Sequence, residues 1–316
     1  VLRLLCLLFI LVLPTFAAAQ ETETPEARSG HELVWHEGLG MVLLVNGDYT
    51  QSDDPGTIWG WDGEGWQIVT NDAPPTQTLG GVAYDAEQNL LLLHGGSQSA
   101  DDYNDTTWTW DGSEWEQLEG ANPGSRDHVS MVYDASREQI IMYGGQYFPT
   151  NAFYQDTWVW DGKWTQAATD APDMRYHYAT AYDAAREQVL IFGGTTGDAD
   201  QSDLWAWDGT AWNVIDEGTG PSRRSGARMA FDEQEGVIVL FGGRSGNRAL
   251  DDTWLWDGAS WTEYTGDIMP PPRSHHAMAY DPVRQQIVLF SGYSDETMND
   301  TWTWTLESGW VEASEP

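Results

Sequence analysis

Five arginines, Arg28, Arg126, Arg175, Arg224 and Arg273, occupy one recurring position in this chain, with Gln77 at the sixth. His128, His177 and His275 follow two residues after three of them, and His31 and His276 sit one residue further on. A ring of guanidinium groups suits bidentate capture of carboxylate, sulfate or uronate groups, because the planar fork of N–H donors meets two oxygens at once. The competing reading is internal, with each arginine paired to an aspartate of a neighbouring repeat and locking the packing. Fifty acidic residues against thirteen arginines make such partners plentiful. Tyr147, Phe148, Phe153 and Tyr154 crowd one short stretch and give it the aromatic character of a recognition surface. Covering a neighbouring repeat is the alternative use of those rings.

Other chemistry finds less support. The seven histidines are scattered or lie at repeat positions, and none forms a His-x-x-x-His pair on a helix, so no metal is expected. Asp198, Asp200 and Asp203 offer oxygen ligands for calcium, but without the glycine-punctuated loop of a dedicated site. The single cysteine, Cys6, lies in the apolar N-terminal stretch, which leaves no thiol or disulfide beyond it. No carboxylate pair stands out among so many acids, so no catalytic residue and no cofactor are assigned. The formal charge of −36, with Lys163 the only lysine, excludes nucleic-acid binding of the basic-footprint kind. The acids are spread over the whole chain, as on a solvated surface.

The elements that must hold these residues repeat. Trp108-Thr-Trp110-Asp-Gly-Ser-Glu-Trp115 returns with Trp158, Trp160 and Trp164, with Trp205, Trp207 and Trp212, and with Trp254, Trp256 and Trp261. Looser copies use Trp59, Trp61 and Trp66, and Trp302, Trp304 and Trp310. Trp-x-Trp places two indoles on one face of a strand, and Asp-Gly predicts a tight hairpin turn with positive φ at both residues. Trp35, Tyr84, Tyr133, Tyr182, Phe231 and Tyr280 are each 49 residues apart. Ten residues after each, a buried run ends in Gly-Gly or, in the first and last copies, Asn46-Gly47 and Ser291-Gly292. Four strand signals repeated six times predict an all-β, six-bladed β-propeller with four antiparallel strands per blade.

The Gly-Gly pair, the Asp before the tryptophan strand and the late Trp resemble kelch repeats, as in galactose oxidase and kelch adaptor proteins. The resemblance covers residues 28–312 and implies a kelch-type propeller. It also implies that arginines at this position can bind carboxylates of acidic peptides, as they do in kelch adaptors. Copper-radical oxidation of the galactose oxidase kind needs a Tyr–Cys cofactor and is excluded without a cysteine in the mature chain.

Residues 1–19 read as a signal peptide, 20–27 as an extension, and 28–316 as the propeller, with blades near 28–76, 77–125, 126–174, 175–223, 224–272 and 273–316. The expected location is secreted, periplasmic or extracellular, for a monomer without membrane insertion once the leader is cleaved. In a four-stranded meander the 1–2 and 3–4 turns share one face of the ring, and the 2–3 loops and blade connections share the other. The 2–3 loops differ in every copy, so that face is expected to bind. The expected site is an arginine-ringed channel mouth of Arg28, Arg126, Arg175, Arg224 and Arg273 with His128, His177 and His275, joined by Tyr147, Phe148 and Tyr154. The leading function is a non-catalytic module binding an extracellular protein, peptide or glycan, with anionic ligands in view. The alternatives are a carbohydrate-active enzyme (epimerase, lyase or hydrolase) working at the channel mouth, and a structural or adhesion protein.

Overall fold

The computed structural model describes residues 24–49, 56–74, 78–99, 102–167 and 172–313. The expected leader and Gln77 lie outside the described residues. Six four-stranded antiparallel sheets follow one another along the chain, each with its strands in chain order. The first comprises Glu32–His36, Met41–Val45, Ile58–Trp61 and Trp66–Thr70. The last comprises Ala277–Asp281, Gln286–Tyr293, Thr297–Thr305 and Gly309–Glu312. The chain folds as the six-bladed propeller its period predicts.

The tryptophan hairpins set the register, with Trp110 opposite Trp115 and Trp207 opposite Trp212 across the third and fourth strands. Their turn differs from the expected one. Only the glycine takes positive φ, 96° at Gly112 and 95° at Gly209. The aspartate acts through its side chain instead: Asp111 Oδ1 accepts the Ser113 and Glu114 N–H groups at 2.8 and 2.9 Å. Asp62, Asp208 and Asp257 accept in the same way, so four of the six turns are Asx turns closed by glycine.

Burial is concentrated between blades. Each of the six apolar clusters joins two adjacent sheets, and together they fill all six seams. The fourth-strand tryptophan reaches across the seam as well. Trp164, Trp212 and Trp310 donate Nε1–H to the hydroxyls of Thr107, Thr157 and Thr253 in the preceding blade, at 2.9, 2.9 and 2.8 Å. Where the preceding blade has Ile58 or Leu204 at that threonine position, the indole N–H of Trp115 or Trp261 has no partner among the described residues.

The ring closes without exchange of strands. Trp66 donates to Thr301 Oγ1 at 2.8 Å, so the last seam repeats the tie of three others. Gly30 N–H reaches His275 O at 3.2 Å. The Ser291 hydroxyl donates to Arg28 O at 2.6 Å and lies 3.1 Å from Arg28 N. Ser291 thus uses its departure from the glycine found in other blades to join the two ends.

Thr157→Val keeps the side-chain shape and removes the acceptor of Trp212. Leaving a buried donor unpaired costs about 1–3 kcal/mol. Urea unfolding should show a lower midpoint with an unchanged slope; an unmoved midpoint would show that the seam bond contributes nothing.

Candidate functional site

Each blade connection enters its first strand by pairing with the start of the same blade's 2–3 loop. Asp127 bridges Gln146, Tyr176 bridges Thr195, and Ser225 bridges Arg244. This pairing puts the connections and the variable loops on one face. On the other, Arg137 of a 1–2 turn donates to Asp208 O of the next blade's 3–4 turn at 2.6 Å.

The repeated arginines sit beneath the loop face rather than around an open mouth. Arg126, Arg224 and Arg273 are fully buried and Arg175 nearly so. Each forms a bidentate pair with the aspartate that precedes the tryptophan strand: Arg126 with Asp156, Arg175 with Asp203, Arg224 with Asp252, and Arg273 with Asp300. The nearer contacts are 2.6–2.7 Å. The same carboxylate takes the first indole N–H of its strand, as from Trp254 to Asp252 at 2.7 Å. The partner aspartate therefore belongs to the arginine's own blade, which corrects the neighbouring-repeat reading. Geometry also removes these guanidinium groups from the mouth. Arg28 is buried as well, with Nε 3.1 Å from Glu26 O and Nη1 3.3 Å from Asn46 O.

Burial pushes the paired carboxylates up, but the arginine hydrogen bonds and charge outweigh it and hold Asp203, Asp252 and Asp300 below the usual range. Asp203, one of the acids weighed for calcium, is committed to Arg175 in this way. Tyr154 is packed into the same structure, with the Arg126 guanidinium 4.0 Å from its ring centre.

What does reach the face is a set of rings. Gly30, Leu79, His128, His177, Gly226 and His275 occupy one repeat position, and all take left-handed φ of 54–67°. Their backbones link blade to blade, as His275 N–H to Gly226 O at 2.8 Å and Gly226 N–H to His177 O at 2.7 Å. This conformation, uncommon for residues other than glycine, brings the imidazoles of three blades together. His128 and His177 lie 4.2 Å apart and His177 and His275 4.4 Å. The His275 ring covers Gly226, where an added Cβ would stand 3.0 Å from it.

Tyr176 extends the cluster, 5.0 Å from His177, and Phe153 stacks on Tyr176 at 5.7 Å. Tyr147 packs edge-on against Tyr103 at 5.2 Å, and Phe148 is 60% exposed beside it. Burial and the adjacent Asp127 push the Tyr103 phenol up to about 12. Asp127 itself is buried, accepting from Ser97 Oγ at 3.1 Å and lying 2.7 Å from His128 Nδ1. The structure thus brings His128, His177, His275, Tyr147 and Phe148 to one face and sets the arginines and Tyr154 below it. Phe153, named with Tyr147, Phe148 and Tyr154 in the aromatic stretch, joins the cluster through Tyr176, whereas Tyr103 and Tyr176 were missed, since no repeated aromatic marks their positions.

His177 and His275 are uncharged at neutral pH. Burial holds His177 well below its ordinary value, with His128 and His275 adding to the effect. Burial and then Arg228 lower His275 to about 3, and burial with Arg126 does the same to His94. His31, His36 and His276 are also held down, first by burial.

A histidine whose folded value is depressed stabilises the fold fully above its unfolded value of about 6.5. That contribution is lost as pH falls through the window between about 6.5 and the folded values, at up to ~1.4 kcal/mol per pH unit for each group. Urea midpoints should therefore fall from pH 7 to pH 5, before most carboxylates titrate. A flat profile there would mean that the rings are protonated in the fold.

A family model described as the KLHDC2/KLHL20/DRC7 Kelch-repeats domain matches residues 78–262 and, in an overlapping register, 161–314. No curated protein matches the chain. The two family matches together run from residue 78 to 314, well over half of the 316 residues.

Proposed function

We propose that this chain, which belongs to the kelch-repeat family, is a non-catalytic module that binds a protein or peptide partner with the loop face of its propeller. A kelch propeller suits protein binding, and the aromatic and histidine patch at the centre of the loop face carries the finer reading. Aromatic rings give large contact area at low entropic cost, and they dominate the energetics of interface centres.

The arginine–carboxylate pairs among the described residues leave out Arg223, Arg244 and Arg248. Arg244 and Arg248 belong to the fifth blade's 2–3 hairpin. Arg244 lies close enough to His177 and His275 to lower both. They replace the repeated arginines as the groups that would meet a partner carboxylate. In this reading the partner lies outside the cytoplasm, on the strength of the leader-like residues 1–19.

A combined acidic-peptide and glycan array tests the reading, with wild type beside Tyr147→Ala/Phe148→Ala and Arg244→Ala/Arg248→Ala. Peptide binding should fall about tenfold or more in each double variant, as expected for residues at an interface centre. Peptide binding that survives both variants, or binding to glycans alone, would overturn it.

A further inference from the structure

A cavity of about 660 Å³ runs along the propeller axis and opens on the face opposite the proposed partner site. The 1–2 turns line its mouth, through Glu37, Ala86, Ala135, Ala184, Glu233 and Pro282. Just inside stand the six repeat aromatics, Trp35, Tyr84, Tyr133, Tyr182, Phe231 and Tyr280. The shaft below them is mainly aliphatic, with Val34, Val82, Met131, Val132, Met229 and Met278. Glu32 and Arg228 also line it, paired across the axis at 3.2 Å.

The volume is that of a small-molecule site, which ranges over roughly 300–1,000 Å³. Its charges are unbalanced. Arg228 answers Glu32, and no cation among the lining residues answers Glu37 or Glu233. The nearby arginines of this face are committed, with Arg137, Arg186 and Arg284 held by Asp134, Asp183 and Asp281 at 2.8, 2.9 and 2.8 Å. Negative charge beside a ring of aromatic side chains attracts organic cations, and the field of a chain with net charge −36 concentrates them further.

We propose that the axial cavity is a second binding site, for an amphiphilic organic cation whose charged head lies among Glu37, Glu233 and the rim aromatics and whose apolar tail occupies the shaft. The site is independent of the loop face. Its ligand is set by a headgroup charge and a tail, so a bare ammonium or an anionic amphiphile fits poorly.

Calorimetric titration with octyltrimethylammonium below its micellar concentration tests this, with octanesulfonate and tetramethylammonium as partner probes. One cation should bind per chain, about tenfold or more tighter than either control. Glu37→Gln/Glu233→Gln should weaken the cation at least about fivefold and narrow its lead over the sulfonate. Thr180→Trp, at a half-buried wall position of the shaft, should abolish binding in protein shown by circular dichroism to be folded. Phe148→Ala, on the other face, should change nothing, which separates this site from the proposed partner site. Equal affinity for cation and sulfonate, binding that survives the folded Thr180→Trp variant, or no binding of the cation would overturn the proposal.

Discussion

In four of the six blades, a buried guanidinium is held by one carboxylate, two backbone carbonyls and the geometry of a single strand start. Arg224 shows the arrangement in full: two bonds to Asp252, one to Gly242 O at 3.0 Å and one from Nε to Ser222 O at 2.9 Å. Asp252 also takes the Trp254 indole. The connection, the end of the second strand and the start of the third are thereby fixed to one another inside each blade. A buried ion pair of this kind contributes less to net stability than its contacts suggest, because desolvation opposes it. What it fixes is position.

That fixed position propagates to the next blade through the backbone. Gly243 N–H donates to Arg273 O at 2.8 Å, and Gly194 N–H to Arg224 O at 2.9 Å. An added Cβ on Gly242 would come within 2.7 Å of Arg273 O. The Gly-Gly pair is thus required by the close approach of the following arginine's backbone, as well as by positive φ. Between blades the apolar seams supply the burial, and at four of the six a tryptophan-to-threonine bond ties one sheet to the next. A rigid frame of this kind leaves the loops free to differ.

The architecture was legible because it is periodic. Spacings of 49 between Tyr84, Tyr133 and Tyr182 locate the first strands, and the tryptophans locate the outer hairpins. The arginines misled for a definite reason. Each lies 18 residues from the carbonyl it binds, but its aspartate follows at 30, 28, 28 and 27 residues because the intervening loops differ in length. A search at constant spacing sees the arginine and loses its partner. One clue was present: the blade with Gln77 has Thr106 where four blades have aspartate, so both members of the pair are missing together. The aromatics that rim the axial cavity were read as strand markers, since period alone does not tell which end of the channel is open. Tyr103 lies in a 2–3 loop that does not repeat, and Tyr176 stands at a repeat position that other blades fill with Thr78, Asp127, Ser225 or Ser274, so only the fold shows that both join the aromatic patch.

A double-mutant cycle on Arg224 and Asp252 tests the frame most directly, using Arg224→Met, Asp252→Asn and the pair, followed by urea unfolding. Breaking a buried pair from one side strands a charge and costs about 3–5 kcal/mol. The account predicts that each single variant falls in that range and that the double variant loses clearly less than the sum. Two small, additive losses would contradict it, and would return the arginines to the surface as groups free to bind a ligand.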